Sequence, residues 1–242
     1  MKTLFTLSTL MIVLSLTAQQ QLPNSSFEDW STDTVSGSLE PDGWFSLNTI
    51  TQDYPNYGTL RTTDAYSGQY ALHLISGHVD ATPYGFSMID TTAEATIGTL
   101  TSGGPNDGMP YTDRPTKLTF YYKYTAGTTP SNVIDTGLLY FKFSGPSGNI
   151  GEGIFQFYGN VVTNYSFVEI PITWWNSNTP DSLFMNISSS TTGFDMMPMS
   201  VNSNIPNQIN SELFIDKLVF SNFPVSNNPP LISKDFNVYP NP

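Results

Sequence analysis

The chain has 242 residues, no cysteine, eight lysines and arginines against twenty aspartates and glutamates, and a net charge of −12. The lack of cysteine excludes a disulfide framework, a thiol nucleophile and a cysteine metal site, so the burial of apolar groups must stabilise the fold. The acidity and the scattered cations exclude nucleic acid as a partner, because binding to phosphates needs clustered lysine and arginine.

Residues 1–18 have the features of a secretory signal peptide. Lys2 gives a charged start, an apolar run follows from Leu4 to Leu16, and Ala18 provides a small residue at the end. The run is shorter than the roughly 20 residues that span a bilayer. We therefore expect export and removal of this segment, with no membrane span in the remaining chain.

Between residues 19 and 222, several segments have apolar residues at every second position, which is the period of a β-strand. The rows are Tyr70, Leu72 and Leu74; Leu118, Phe120, Tyr122 and Tyr124; Leu139, Phe141 and Phe143; Val168, Ile170, Ile172 and Trp174; and Leu183, Met185 and Ile187. A last strand is expected near Leu213 to Phe220, and turns rich in Gly, Pro and Asn separate the strands. The sequence predicts an all-β fold, an antiparallel two-sheet β-sandwich forming a single domain over 19–222.

The end of the chain has a different composition. Residues 223–235 contain too little apolar surface to pack and are expected to form a linker. Residues 236–242 read F-N-V-Y-P-N-P and resemble the opening strand of the sorting domain of type IX secretion substrates. That resemblance implies a truncated sorting domain, the type IX secretion machinery as a partner, and a secreted or outer-membrane cell-surface location.

Several segments resemble, in order, the strands of galactose-binding-like jelly rolls found in carbohydrate-binding modules. They are Leu22 to Trp30, which contains Asn24, Phe27 and Glu28; Ser67 to Leu74; Arg114 to Tyr124; and Leu213 to Leu218. The last two are also similar to the bacterial PCMD family of carbohydrate-metabolism domains. The resemblance implies a jelly roll whose ligand is a polysaccharide or another glycan.

Asp216 is a candidate metal ligand. It alternates with Phe214 and Leu218, so strict pleating points its carboxylate toward the core side, where a charge needs a partner. One alternative is hydrogen bonding to the backbone N–H groups of a neighbouring turn. The other is structural Ca²⁺ held with Glu28 and with loop carbonyls near Gly68. Related carbohydrate-binding modules carry calcium in a comparable place, and the resemblance implies the same here.

Exposed aromatic rings are candidates for ligand binding, because the apolar C–H faces of sugars stack on them while polar groups bind the hydroxyls. The candidates are Trp175, Tyr111, Trp44, Asp113 and Arg114. Trp175 points outward if Trp174 lies in the core. Tyr111 lies in a long loop beside Asp113 and Arg114, and Trp44 lies in a turn-rich segment. Core packing is the alternative for each aromatic residue.

Nothing in the sequence favours nucleophilic catalysis, because the chain has no thiol and its two histidines, His73 and His78, are close neighbours. A glycosidase needs only two carboxylates about 5–10 Å apart, and the loop acids that leave this open are Asp107, Asp113, Glu152 and Asp195. The leading hypothesis is a non-catalytic, secreted or cell-surface module that binds carbohydrate. The alternatives are a glycan-active enzyme and a structural or adhesive surface protein.

Overall fold

A computed structural model of the chain describes residues 19–34, 37–46, 48, 58–79, 89–91, 93–101, 104–106, 108–128, 134–159, 161–191 and 210–222. Within these residues the chain forms strands and no helix, and no helix long and apolar enough to cross a membrane is present. The predicted signal peptide, linker and sorting segment lie outside the described residues, as do Asp107 and Asp195.

The strands follow each other along the chain in this order. They are β1 (Trp30–Thr32), β2 (Leu39–Pro41), β3 (Phe45–Ser46), β4 (Thr59–Thr62), β5 (Ala71–Ile75), β6 (Gly77–Val79), β7 (Ile89–Thr91), β8 (Glu94–Ile97), β9 (Thr99–Thr101), β10 (Gly104–Asn106), β11 (Met109–Pro110), β12 (Lys117–Thr125), β13 (Gly137–Gly145), β14 (Gly148–Phe157), β15 (Val162–Pro171), β16 (Thr173–Trp174), β17 (Ser182–Ser188) and β18 (Glu212–Ser221).

Two larger sheets contain most of these strands. A seven-stranded sheet has the order β16-β14-β13-β17-β8-β3, with β11 also paired to β17, and a five-stranded sheet has the order β15-β12-β18-β5-β4. The neighbouring strands pair in an antiparallel manner, as between β13 and β17 and between β12 and β15. Shorter pairs join β1 to β2, β9 to β10 and β6 to β7.

The apolar rows of the sequence form the core between the two sheets. The rings of Phe143 on β13 and Phe220 on β18 lie 5.6 Å apart between their centroids. Phe120 on β12 lies 6.1 Å from Phe157 on β14. Because these contacts join one sheet to the other, the predicted all-β, antiparallel two-sheet β-sandwich is confirmed.

The last strand departs from strict alternation, which corrects the prediction that Asp216 points into the core. Leu213 and Ile215 are buried in the core, whereas Phe214 stacks on His73 of β5 at 3.9 Å on the outer face. Lys217 has a φ of 58°, and the pairing of β18 with β12 shifts register at this point. This β-bulge places Asp216 on the outer face and returns the following residues to inward alternation.

Candidate functional site

The outer face of the seven-stranded sheet carries buried and half-buried polar side chains, which we call the polar strip: the buried Glu94, Thr96 and Asn186 and the half-buried Tyr140 and Glu152. In β17 the residues Leu183, Met185 and Ile187 face the core, so Asn186 faces the other way. Asn186 lies directly opposite Thr96 of β8 on one side and Tyr140 of β13 on the other. The strip therefore crosses the sheet at right angles to its strands.

Two acceptor atoms of the polar strip have no hydrogen-bond partner within the part of the chain that the structure describes. The amide nitrogen Nδ2 of Asn186 donates to Glu94 Oε2 at 3.1 Å and to Thr96 Oγ1 at 2.8 Å. Glu94 Oε1 and Asn186 Oδ1 are buried and accept no hydrogen bond. A buried polar atom left unpaired costs roughly 1–3 kcal/mol, so a donor that reached these two atoms would stabilise this part of the sheet.

Burial also raises the pKa of two side chains of the strip. Glu94 is only 5% exposed, and desolvation raises the pKa of its carboxyl group while the N–H of Asn186 opposes that rise. Desolvation and the neighbouring Glu152 raise the pKa of Tyr140 to about 12. The Tyr140 hydroxyl donates to Glu152 Oε2 at 3.2 Å, which fixes both side chains in place.

The other end of the strip reaches the edge of the sheet, where Trp175 lies. Thr173 of β16 pairs with Glu152, and Trp174 pairs with Gly151. Trp174 packs inward on Phe143 at 4.7 Å, whereas Trp175 is 51% exposed. The sequence correctly assigned one tryptophan to the core and the next to the surface.

Arg114 positions the turn that follows Trp175. Its guanidinium lies 3.9 Å from the centre of the Trp174 ring and donates to the carbonyl oxygens of Asn178 and, at 2.6 Å, Asn176. Asp113 has a different role, because its Oδ2 accepts from the backbone N–H of Gln20 at 2.6 Å. Arg114 therefore lies next to Trp175, whereas Asp113 binds the first described residues of the domain, near Gln20.

Trp44 and Tyr111 do not belong to a ligand surface, which corrects their assignment. Trp44 is 6% exposed, packs on Phe27 at 5.2 Å and donates to the carbonyl of Pro23. Tyr111 is fully buried, 5.6 Å from Phe220. Both rings gain more from core burial than from exposure on a loop, and each finds a hydrogen-bond partner for its polar atom.

Glu28 and Asp216 converge on the turn at residues 66–70. Asp216 Oδ2 accepts from the N–H of Ser67 at 2.8 Å, and the Glu28 carboxylate accepts from the N–H of Gln69 at 3.0 Å. Gly68 has a φ of 76°, and a Cβ there would lie 2.0 Å from Glu28 Oε1. The hydrogen-bonded alternative for Asp216 is thus present, and the turn needs glycine where the carboxylate approaches.

The second carboxylate oxygen of Asp216 lacks a partner: among the described residues nothing donates to the buried Oδ1. Desolvation raises the pKa of Asp216, the backbone N–H groups of Ser67, Lys217 and Tyr66 oppose that rise, and the charge of Glu28 adds to it. A hard cation would pair the free oxygen and relieve the repulsion. Within the described residues no group of three or more His, Cys, Asp or Glu side chains could hold a metal, so further ligands would be carbonyls or water.

The polar strip does not bring two acids to a glycosidase distance. Glu94 on β8 and Glu152 on β14 are separated by β17 and β13, and three strand spacings amount to about 14 Å. That exceeds the roughly 5–10 Å between the carboxyl groups of most glycosidases.

Sequence reasoning missed the polar strip. The sign was present in S-L-F-M-N-I-S of β17 and E-A-T-I of β8, where polar residues alternate with apolar ones. Such alternation ordinarily marks a solvated outer face. What could not be read from it is that Asn186 and Glu94 are buried and face each other, because that depends on the pairing of distant strands.

Comparisons with known proteins found similar solved structures but no similar sequence family. No protein-family model matches the sequence, and no curated protein matches it. A carbohydrate-binding module of family 28, specific for non-crystalline cellulose, is 13% identical, with 84% of this chain and 96% of that chain covered and a TM-score of 0.41.

Two further solved structures are similar to the same extent. A family 61 carbohydrate-binding module in complex with β-1,4-galactotriose is 11% identical, with coverages of 83% and 97% and a TM-score of 0.39. A cyclase from Fischerella sp. TAU is 11% identical, with coverages of 83% and 94% and a TM-score of 0.37. What each of these proteins binds or makes is a property of that protein.

Proposed function

We propose that this domain is a non-catalytic carbohydrate-binding module whose ligand lies along the polar strip. The observation that supports the proposal is the pair of acceptors, Glu94 Oε1 and Asn186 Oδ1, which lack a partner among the described residues. Both atoms are closed to solvent, so a ligand must displace the groups that cover them. Sugar hydroxyl groups are donors that suit these two acceptors, and a site built to bind hydroxyls discriminates strongly because its polar atoms are otherwise unpaired.

Apolar and cationic groups beside the strip suit the remainder of a sugar chain. Ile154, opposite Tyr140 on β14, is exposed and offers an apolar contact to C–H groups. Lys142 lies opposite both Glu152 and Phe184. Trp175 adds an exposed ring at the sheet edge, where Arg114 holds the adjoining turn, and a sugar ring can stack there.

The test is the binding of Glu94→Gln to neutral soluble polysaccharides. The amide keeps the shape of the side chain and replaces one of its two acceptor oxygens by an N–H donor, and a buried polar group left unsatisfied costs roughly 1–3 kcal/mol. We expect the affinity to fall about tenfold or more. Asp29→Asn, which removes the same charge from an exposed position, is the matched control and should bind like the wild type. Equal affinities for Glu94→Gln and the wild type would contradict the proposal.

The thermal stability of Glu94→Gln separates lost binding from lost folding. Because burial raises the pKa of Glu94 in the folded chain, the stability linked to its protonation is present at low pH and is lost as the pH rises through the folded pKa. At pH 7 the variant should therefore melt no lower than the wild type. A lower melting temperature would mean that the carboxylate stabilises the fold.

We also propose that Glu28 and Asp216 hold a structural Ca²⁺ together with carbonyl oxygens near Gly68. The ion would supply positive charge to the unpaired Oδ1 of Asp216 and fasten the turn to β18. Scanning calorimetry of protein treated with a chelator, with and without added Ca²⁺, measures this stabilisation directly. If Ca²⁺ does not raise the melting temperature, the proposal of a structural calcium site is wrong.

The location of the protein is a further proposal. The signal peptide at 1–18 and the segment at 236–242 favour export by the type IX machinery, with a secreted or cell-surface product. Mass spectrometry of protein recovered outside the cell should find Gln19 at its N-terminus, and retention of Met1 would contradict export through a cleaved signal. Membership in the PCMD family stays a prediction from the sequence.

A further inference from the structure

The outer face of the five-stranded sheet carries a group of aromatic rings, which we call the aromatic face: Tyr66, Tyr121, Tyr165 and Phe167. Tyr121 of β12 and Phe167 of β15 are cross-strand neighbours, with ring centroids 5.1 Å apart. Tyr66 lies on Tyr121, its ring tilted by only 10°. Tyr165 meets Tyr66 edge to face at 5.9 Å.

These rings remain accessible. Phe167 is 36% exposed and Tyr66 is 42% exposed, although both side chains are large enough to gain much from burial. The two exposed rings, Tyr66 in the turn before β5 and Phe167 on β15, both contact Tyr121 of β12 and form one apolar surface with phenolic hydroxyls among the rings. Such a surface is typical of a binding site rather than of scattered surface hydrophobic residues.

The turn that carries Tyr66 is fixed by specific contacts. Asp216 binds the N–H of Ser67, and Glu28 binds the N–H groups of Gln69 and, at 3.3 Å, Tyr70. These bonds come from the start of the domain and from its last strand, so the position of Tyr66 is set by two distant parts of the sequence. A fixed ring loses little conformational entropy when a ligand stacks on it.

Two lysines on this face form salt bridges, whereas the ammonium of the exposed Lys217 lies 5.9 Å from the centre of the Tyr66 ring. Lys123 forms a salt bridge with Asp64, and its ammonium also lies 4.3 Å from the Phe214 ring. Lys117 forms a salt bridge with Glu169. An anionic or cationic ligand would have to compete with these pairs, whereas a neutral ligand would leave them intact.

We propose that the aromatic face is a second carbohydrate-binding surface, which takes an uncharged glycan by stacking of its sugar rings on Tyr66 and Phe167. It extends the carbohydrate binding already proposed and depends on that proposal only for the class of ligand. The aromatic face and the polar strip lie on the outer sides of opposite sheets. One domain therefore binds two glycan chains at once, or two parts of one chain, without oligomerising.

The test is affinity electrophoresis of the full chain in gels that contain soluble β-glucan, galactan, xylan or mannan, with polygalacturonate as the acidic counterpart. We expect retardation by a neutral polysaccharide, and affinities about fivefold weaker in Phe167→Ala and in Tyr66→Ala. Tyr158→Ala, which removes an exposed ring outside the aromatic face, is the control and should migrate like the wild type.

The outcomes separate the two proposals. Weaker binding in Glu94→Gln alone would overturn the aromatic face and leave the polar strip, and weaker binding in the two aromatic variants alone would do the reverse. Equal migration of every variant, no retardation of the wild type, or retardation by polygalacturonate alone would overturn the second surface. A wild type that elutes as a dimer and becomes monomeric in Phe167→Ala would assign the face to a second copy of the chain and also overturn it.

Simultaneous binding has its own measurement. A domain with two surfaces cross-links soluble polysaccharide and raises the viscosity of its solution, and at equal protein concentration either Glu94→Gln or Phe167→Ala should reduce that rise. A rise in viscosity that neither single substitution reduces would contradict binding through opposite faces.

Discussion

Replacement of Phe143 by alanine is expected to lower the free energy of unfolding by about 3–5 kcal/mol, the usual cost of removing a buried phenylalanine ring. Phe143 is fully buried and contacts rings from both sides of the core. Its centroid lies 4.7 Å from Trp174, 5.4 Å from Tyr111 and 5.6 Å from Phe220. The substitution would leave a cavity between the two sheets, next to the edge strand β16 and the loop before β12.

Thermal unfolding measures this loss. For a domain of this size each kcal/mol lowers the melting temperature by roughly 2–4 °C, so a fall of about 10 °C is expected. Phe167→Ala is the matched control, because the same ring is removed from an exposed position and should cost less than about 1 kcal/mol. Similar losses in the two variants would mean that Phe143 does not lie at the centre of the core.

Binding of Ca²⁺ at Glu28 and Asp216 is expected to produce the second large effect. A ligand that binds only the folded chain stabilises it by about 4 kcal/mol at a thousandfold excess over its Kd. Gly68→Ala should lower the melting temperature and remove its calcium dependence, because a Cβ at this position would lie 2.0 Å from Glu28 Oε1 and would displace the carboxylate.

Gly37→Ala is the control for that substitution. Gly37 has a φ of 72° and its Cβ would meet nothing within 4 Å, so this variant carries only the backbone strain, about 1–2 kcal/mol. It should keep the full response to calcium. If Gly68→Ala also keeps that response, the ion does not lie between Glu28 and Asp216.

The parts of the fold that depend on local pattern were predictable. The rows Leu139 to Phe143 and Leu183 to Ile187 face the core as the sequence predicts, because alternation in a strand with one buried face leaves only one arrangement. Local pattern could not place Trp44 and Tyr111, which lie outside long strands. For such residues burial is decided by contacts with distant rings, such as Phe220.

The same distinction between local pattern and contacts with distant segments applies to the candidate sites. Trp175 was predictable because two consecutive tryptophans must face opposite sides of a strand. The polar strip needs the pairing of β8 with β17, whose residues Thr96 and Asn186 are 90 positions apart. The aromatic face needs the turn at Tyr66 to reach Tyr121 on another strand. Sequence spacing does not encode such contacts between distant segments.

The bulge at Lys217 lets one strand perform two tasks. Without the bulge, strict alternation through Lys217 would place Asp216 on the same side of β18 as Leu218 and Phe220. The strand would then lose either the burial of Phe220 or the hydrogen bond from Ser67 to Asp216 that holds the turn carrying Tyr66. One inserted residue therefore couples the packing of the core to the position of a turn on the outer face of the sheet.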